Sequence, residues 1–490
     1  MPGKSIADLN PVEKKLLERS MTWMDQFWDE SMGLLWGQGD RFDPLAPLVQ
    51  TGHTVRDSSW YALGLLMRDS AGDRQRAEKA IEAILTYQFS TPGLRYFGTF
   101  RRSPEEPFPP PDAREWKDYD PNWREFIGTT LAVILLEYEA RLSPELVAKI
   151  DRAFPLMIQG ALERRLNPAY TNIALMNAFL LWYVGSRQHR EDWVAAGEQM
   201  AVSVYSLFSP HRTFAEYNSP TYYGVDIFAL ALWREYAGSS IIRDAGVKME
   251  AWLWEDIARF YHARMRNLCG PFDRSYGMDM RKYVAVVGEW IALITGMEDA
   301  PLPPGDQPFW HAHDLCFAPL AVMLGARVPE EVRSHFLEFQ GERLVERVIV
   351  EEPQRVATAW LADTIMAGAE ETSGTKNGYS QFHPVVIYWL ASGTEVGWVR
   401  LLHREPVDAR AAQRNIKILA HGEVSFQVYV PGVHDENFQP RQWILPGLVV
   451  KIYGTPGNMT LTNPEPGLWL VTYAVPDGMI QMIDMELSAG

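Results

Sequence analysis

The hydrophobic pattern of the chain changes near Gly341, and this change constrains the fold more than any other feature of the sequence. From Pro11 to about Phe339, apolar residues recur at three- and four-residue spacing, which is typical of amphipathic helices. After Gly341, short runs rich in β-branched and aromatic residues are separated by turn dipeptides such as Pro431-Gly432. The sequence therefore predicts helices first and strands second.

This order predicts an α+β multidomain protein. We expect an N-terminal (α/α) toroid of helical hairpins over residues 1–340, followed by a C-terminal antiparallel β-sandwich domain over residues 341–490. The segment Ser143–Arg165 shows the helical signal well, since Ser143 can cap the helix and Pro144 occupies its first position. A hydrophobic fraction of 47% excludes a disordered chain, and 490 residues favour more than one core.

The charge and hydropathy patterns exclude several classes of partner. The chain has 46 Lys and Arg against 62 Asp and Glu, a formal net charge of -16, so nucleic acid is not an expected partner. No apolar stretch approaches the ~20 residues that span a bilayer, so no membrane partner is expected. Met1 to Asn10 lack the pattern of a secretion signal, which predicts a cytoplasmic protein unless a signal peptide has been removed. The pattern predicts no particular oligomeric state.

Candidate metal ligands and nucleotide motifs are scarce. Cys269 and Cys316 are too few for a disulfide framework and lack the spacing of zinc ligands. His311, His313 and Asp314 have the one spacing that is typical of metal ligands, without a convincing further ligand nearby in the sequence. No glycine-rich phosphate loop stands in a convincing context. We therefore expect no metal and no cofactor.

Long or polar connections between the helices are candidates for substrate binding. The longest, Phe89–Asn122, is rich in rings and charges and runs directly into Trp123, Arg124 and Glu125. Loops of this length in compact domains are usually functional, and aromatic rings can stack on sugar faces. The structural alternative is a surface belt that packs its rings against each other. A second connection places Asn172 in the first turn of an apolar helix, as a cap or as a donor to a carboxylate.

Two further connections carry tyrosines and charges. The segment Glu216–Gly224 contains Asn218, Tyr222 and Tyr223 at a helix start; adjacent helical residues point in different directions, so one tyrosine can be buried while the other faces a cleft. The segment Asp273–Arg281 brings together side chains of both charges and an aromatic ring, either as solvated ion pairs or as a partly buried site. Its candidate substrate-binding residues are Arg274, Tyr276 and Asp279.

The motif Glu216-x-x-Ser219-Pro220-x-Tyr222-Tyr223, together with Tyr170-Thr171-Asn172 before an alanine- and leucine-rich helix, resembles the heparinase II/III-like and alginate-lyase-like polysaccharide lyases. The order of helices and strands is similar over nearly the whole chain. The resemblance implies an (α/α) toroid followed by β-sheet domains, and the cleavage of uronic-acid glycans by β-elimination.

The resemblance also implies roles for individual residues. The neutralising Asn of these lyases falls on Asn172, and their catalytic Tyr falls on Tyr222 or, alternatively, on Tyr223. A His follows the Asn in many members, but Ile173 stands there in this chain. His383, at the end of the segment Asn377–His383, is the compensating candidate.

The chemistry of elimination indicates which further side chains are needed. The C5 proton of a uronic acid becomes removable only if the adjacent carboxylate is neutralised and the developing enolate receives hydrogen bonds. Asn172 and an arginine, Arg274 or Arg124, could do this, with a tyrosine or histidine as acid or base. Glu216, Asn218 and Trp123 complete the expected substrate-binding set. The expected partner is therefore an anionic carbohydrate, and the expected activity that of a carbon–oxygen lyase.

Two other classes of function fit the same sequence. A glycoside hydrolase on an (α/α) toroid would use two carboxylates ~6.5 to 9.5 Å apart. Acidic candidates for such a pair are Asp120, Glu125, Glu216, Asp279 and Glu370. A non-catalytic glycan-binding protein is the other class, which the dense clusters of Tyr, Arg and Asp make less favoured.

Overall fold

The computed structural model describes residues 3–37, 52–305, 310–376, 381–476 and 479–490. Contacts between residues divide the chain into two compact units that interleave along the sequence. The first unit contains Met1–Leu207, Gly224–Glu250 and Val284–Arg327. The second contains Phe208–Tyr223, Ala251–Tyr283 and Val328–Gly490.

The α-helices of the described residues all lie before the strands of the β-rich half. They are α1 (Pro11–Asp25), α2 (Val55–Arg68), α3 (Asp73–Thr86), α4 (Trp123–Tyr138), α5 (Pro144–Arg164), α6 (Thr171–Arg187), α7 (Glu191–Phe208), α8 (Tyr222–Tyr236), α9 (Ser240–Phe260), α10 (Val286–Thr295), α11 (Ala318–Leu324) and α12 (Glu330–Leu337). Within these residues, no helix combines the length and apolar character needed to cross a membrane.

Side-chain caps set several helix starts. The Ser143 hydroxyl accepts from the Leu146 amide, and Pro144 stands at the first position of α5, as the sequence predicts. In α1, the Asn10 side chain accepts hydrogen bonds from the amides of Val12 and Glu13. Pro11 stands at the first position of this helix, as Pro144 does in α5. These caps satisfy amide groups that would otherwise lack partners at the helix ends.

In the first unit, alternate helices pack against one another. Helix α2 contacts α4, α4 contacts α6, and α11 contacts both α2 and α10. The indole of Trp233 on α8 donates to the Leu175 carbonyl of α6 at 2.9 Å. Phe228 of α8 packs on Phe317 at 5.3 Å, and Phe317 packs on Trp60 of α2 at 5.2 Å. These contacts run from α2 through α4, α6 and α8 and return to α2.

Among the described residues, five short strands lie between the helices and fourteen strands follow α12. They are β1 (Trp28–Asp29), β2 (Leu34–Gly37), β3 (Gly52–Thr54), β4 (Tyr261–His262), β5 (Asn267–Leu268), β6 (Arg343–Glu351), β7 (Gln354–Leu361), β8 (Ile365–Glu371), β9 (Val385–Ser392), β10 (Glu395–Leu402), β11 (Val407–Ala412), β12 (Asn415–His421), β13 (Val424–Tyr429), β14 (Phe438–Gln439), β15 (Gln442–Leu445), β16 (Leu448–Gly454), β17 (Asn458–Glu465), β18 (Leu468–Ala474) and β19 (Ile480–Ser488).

Two antiparallel sheets form most of the second unit. One has eight strands in the order β17-β18-β13-β10-β9-β8-β7-β6, and the other has six in the order β11-β12-β19-β16-β15-β14. Buried side chains of both sheets form one apolar cluster, which includes Trp389, Phe426, Trp443 and Ile483. This arrangement is a sandwich of two sheets around a shared core.

The segment around Pro271 lies directly on the eight-stranded sheet. Phe272 and His383 exchange backbone hydrogen bonds of 3.0 and 2.9 Å. A Cβ added to Gly368 would lie 1.7 Å from the Gly270 carbonyl oxygen, so only glycine permits this approach. The segment that carries Arg274 is thereby fixed against β8 and β9.

The prediction of helices followed by antiparallel β structure is confirmed. Among the described residues, the α-helices end at Leu337, and the long strands begin at Arg343. The short strands β1 to β5 within the helical half were not predicted.

Candidate active site

Tyr222, Tyr276, Arg274 and Glu216 form a polar cluster in the second unit, which we call the tyrosine–arginine cluster. Arg274 Nη2 donates to the Tyr222 hydroxyl at 2.7 Å, and the Tyr276 hydroxyl lies 2.6 Å from the same oxygen. The Arg274 guanidinium carbon also lies 3.8 Å from the centre of the Tyr222 ring. The structure thus brings together four of the residues that the sequence predicts for the site.

Arg274 donates a hydrogen bond from each of its three side-chain nitrogens. Its Nη1 donates to Glu216 Oε1 at 2.8 Å, and its Nε donates to Gln381 Oε1 at 3.0 Å. Because a guanidinium has five N–H groups, these three bonds to described residues leave one hydrogen on each Nη. That pair suits end-on binding of a carboxylate, and the Arg274 side chain is 25% exposed.

The electrostatics of the cluster favour a permanently charged arginine. Burial alone would lower the pKa of Arg274, but the two tyrosines and Glu216 raise this pKa above its ordinary value. The same attraction favours the ionised form of the nearest phenol. A tyrosine hydroxyl that accepts from such an arginine is suited to proton transfer.

Ser219 connects the two segments that supply the cluster. Its hydroxyl accepts from the Tyr222 amide at 3.2 Å, which caps α8, and donates to the Arg274 carbonyl at 2.6 Å. One side chain therefore fixes both the start of α8 and the backbone of the arginine. The link between Ser219 and Arg274 was not predicted from the sequence.

Tyr223, the alternative catalytic tyrosine, points away from the tyrosine–arginine cluster. It is 1% exposed and packs edge-on against Tyr217 and Phe214. Its hydroxyl interacts with Asp256, which also pairs with Arg347 at 2.9 Å. Burial raises the pKa of Asp256 to about 6. The predicted division between one buried and one more exposed tyrosine is observed.

His383 lies in the interior of the second unit. The ring is fully buried, and its Nε2 lies 3.4 Å from Arg400 Nη1. Burial and Arg400 lower the pKa of His383 well below its usual range, so the imidazole is neutral. Residues 377–380 of the motif that precedes it lie outside the described residues.

Asn218 and Asp279 both make hydrogen bonds within the second unit. The Asn218 amide donates to the Cys269 carbonyl at 2.7 Å and the Pro271 carbonyl at 2.9 Å. Asp279 accepts from Asn267 at 2.9 Å and pairs with Arg281 at 3.1 Å. These contacts support the segment that carries Arg274.

Arg124 and Trp123 belong to the first unit. Arg124 is 1% exposed and donates to the carbonyls of Pro121 at 3.0 Å and Phe97 at 3.4 Å. Burial lowers the pKa of Arg124. Trp123 lies under the guanidinium of Arg56, at 5.4 Å from the ring centre. Arg124 thus fastens the Phe89–Asn122 connection, whose rings Phe89, Tyr96 and Tyr119 form a small core of their own.

Asn172 and Glu125 are buried polar groups of the first unit. Both polar atoms of the Asn172 amide lack a hydrogen-bond partner among the described residues. Asn177 Nδ2 donates to Glu125 Oε1 at 3.4 Å, and burial raises the pKa of Glu125 to about 7. A buried amide without partners is costly, which is typical of sites with a ligand or a special role. The role of Asn172 in neutralising a carboxylate stays a prediction.

The remaining acidic candidates have different surroundings. Glu370 is fully buried and pairs with Arg355 at 2.7 Å. Arg355 also pairs with Asp273, at 2.8 Å. Burial raises the pKa of Asp120 and that of Glu370. Glu370 therefore belongs to a buried ion-pair network.

Family comparisons identify the chain: it belongs to the family described as Domain of unknown function (DUF8769), whose model matches residues 14–326. A second model, Domain of unknown function (DUF8770), matches residues 341–488. No curated protein matches the chain.

The solved structures that are similar to the chain include an endoglucanase. Endoglucanase CelQ from Clostridium thermocellum, complexed with cellobiose and cellotriose, matches over 94% of this chain and 74% of that chain, with 8% identity and a TM-score of 0.28. The same endoglucanase complexed with cellotetraose matches with the same values. At this TM-score the likeness supports no conclusion about fold or substrate.

Proposed function

We propose that this chain is a carbohydrate-active enzyme, a carbon–oxygen lyase that cleaves a uronic-acid-containing glycan by β-elimination. The observation that carries the proposal is the Tyr222 hydroxyl, which accepts from Arg274 at 2.7 Å and lies 2.6 Å from the Tyr276 hydroxyl. A phenol in this setting can lose and regain a proton without a metal ion. The circuit of helix contacts in the first unit supports the proposed toroid.

In the proposed reaction, Tyr222 exchanges protons with the substrate. The phenolate removes the C5 proton of the uronic acid, and the electron pair moves through the enolate to form the C4–C5 double bond. The glycosidic oxygen leaves C4 and takes a proton, for which the Tyr222 or Tyr276 hydroxyl is suited. Positioned proton transfer of this kind contributes about 10²- to 10⁴-fold to rate.

Arg274 has two functions in this scheme. Its charge favours the phenolate, and its remaining Nη hydrogens can bind the substrate carboxylate, which lowers the cost of the enolate. The overall net charge of -16 repels an anionic glycan, so a local cation is required to attract it.

A product assay tests the proposal. The protein is incubated with a panel of uronic-acid glycans, and the near-ultraviolet absorbance of the conjugated double bond is recorded. Elimination predicts new absorbance and no oxygen from heavy-oxygen water in the products. Reducing ends without new absorbance, with heavy oxygen incorporated, would replace the lyase by a glycoside hydrolase. Binding without turnover of any glycan would favour a carbohydrate-binding protein.

A further inference from the structure

Two histidines and an aspartate converge just before α11 in the first unit. His311 Nδ1 lies 2.7 Å from Asp314 Oδ2, and His313 Nε2 lies 3.4 Å from Asp314 Oδ1. One ligand atom from each residue lies within 4.8 Å of the other two. His311 and Asp314 are buried, whereas His313 is partly exposed. Their spacing in the sequence is typical of metal ligands, without a convincing further ligand nearby in the sequence.

Local backbone structure explains why these side chains meet. Asp314 lies in a 3₁₀ helix, Ala312–Phe317, and His311 precedes it with a φ of 55°. Side chains three residues apart lie on the same face of a 3₁₀ helix. His311, in the left-handed region, immediately precedes this helix. Both His311 and His313 contact the carboxylate of Asp314.

The separations suit a small divalent cation. Zinc binds His nitrogen and carboxylate oxygen at about 2.0 to 2.2 Å, which places tetrahedral ligand atoms roughly 3.3 to 3.6 Å apart. The 3.4 Å between His313 and Asp314 already matches this range. His311 Nδ1 contacts the other carboxylate oxygen, Asp314 Oδ2, at 2.7 Å, and one ligand atom of each residue lies within 4.8 Å of the other two.

A second carboxylate lies close to this group. Glu289 on α10 is fully buried, and neither of its carboxylate oxygens has a hydrogen-bond partner among the described residues. Glu289 lies close enough to Asp314 for the two carboxylates to interact electrostatically. The nearby Arg56 pairs with Asp57 at 2.9 Å, and its charge also attracts the Asp314 carboxylate.

Space for a further ligand adjoins His313. A cavity of about 20 Å³ is lined by His313, Asp57 and Cys316 and by aromatic side chains that include Trp23 and Trp36. A cavity of this size holds one water molecule. A water is the usual fourth ligand where a protein supplies three.

We infer that His311, His313 and Asp314 bind a divalent transition-metal cation, with Glu289 as a neighbouring carboxylate. Two imidazoles and one carboxylate suit Zn²⁺ in particular. The cation would compensate the negative charge of Asp314 within the helical unit. This site is separate from the tyrosine–arginine cluster and does not depend on the proposed function.

Calorimetric titration with zinc chloride tests the inference. The full chain, first stripped with a chelator, should bind one Zn²⁺. His313→Gln and Asp314→Asn should each weaken binding by at least about tenfold, and Glu289→Gln should weaken it less. His189→Gln, the same change at an exposed histidine on another turn, should bind as the unchanged protein does.

A spectroscopic measurement keeps the test independent of folding defects. Co²⁺ added to the stripped protein should give visible absorption of a low-symmetry site, which His313→Gln removes while its circular dichroism stays unchanged. Failure of the unchanged protein to bind Zn²⁺, or equal binding by all four variants, would overturn the inference. Neither measurement uses a glycan, so a failure here is distinct from failure of the lyase proposal.

Discussion

At the scale of single residues, the proposed chemistry depends on the pairing of Tyr222 with Arg274. The sequence could predict that one of two adjacent tyrosines is buried, because neighbouring helical residues point in different directions. It could not choose between Arg274 and Arg124. That choice depends on backbone carbonyls of Pro121 and Phe97, which reach Arg124 only in the folded chain.

The two arginines give a matched pair of substitutions. Arg274→Met should raise KM and lower kcat/KM for a uronate at low salt, because the substrate carboxylate loses its cation. Arg124→Met should leave KM unchanged and lower Tm, because two backbone carbonyls lose a buried donor. Steady-state kinetics and thermal unfolding of both variants check this; unchanged kinetics for Arg274→Met would reject its binding role.

Glu216 competes with Tyr222 for the charge of Arg274. Glu216→Gln removes the anion that Nη1 contacts at 2.8 Å, so more of the positive charge acts on the phenol. The activity should therefore rise at a lower pH than in the unchanged protein, as a pH–rate profile would show. Complete loss of activity at every pH would instead indicate a carboxylate in the chemistry, as in a hydrolase.

At the scale of elements, helices were predicted closely and strands incompletely. The predicted helical segment Ser143–Arg165 corresponds closely to α5, Pro144–Arg164. Strands β7 and β8 lack the polar–apolar alternation that predicts a strand, because nearly every residue in them is buried. The Ala and Gly residues of β8 are also poor strand formers.

The Ser219 hydroxyl joins α8 to the segment of Arg274, and its removal tests that connection. Ser219→Ala should reduce the free energy of unfolding by about 0.5 to 2 kcal/mol through loss of the cap. It should also lower kcat, because the Arg274 carbonyl loses its donor and the cluster loses alignment. Chemical denaturation and kinetics measure the two effects. Ser143→Ala, the same change at the cap of α5, should affect stability alone.

At the scale of the whole molecule, the sequence predicted the order of secondary structure but not the interleaved units. Helix α8 begins in the second unit and continues in the first, and α9 begins in the first and ends in the second. Apolar periodicity is the same on both sides of such a boundary. The tyrosine–arginine cluster combines Glu216 and Tyr222 from one stretch of the second unit with Arg274 and Tyr276 from another.

Buried acids make stability depend on pH. Burial raises the pKa of Glu125 to about 7, above its value of about 4.3 in the unfolded chain. The folded state then holds more protons between these values, so this group lowers stability as pH rises through that window. Glu125→Gln should therefore raise Tm relative to the unchanged protein more at pH 8 than at pH 5. An equal difference at both pH values would contradict the raised pKa.

The central claim is that the Tyr222 hydroxyl transfers the proton in a β-elimination. The most direct measurement is the rate of near-ultraviolet product formation by Tyr222→Phe, compared with Tyr223→Phe on the same glycan. Tyr222→Phe keeps the ring and should reduce kcat by about 10²- to 10⁴-fold, with Tm unchanged. Tyr223→Phe should lower Tm, because Asp256 loses a partner, and keep most of kcat. Full activity of Tyr222→Phe, or loss of activity in Tyr223→Phe alone, would contradict the account.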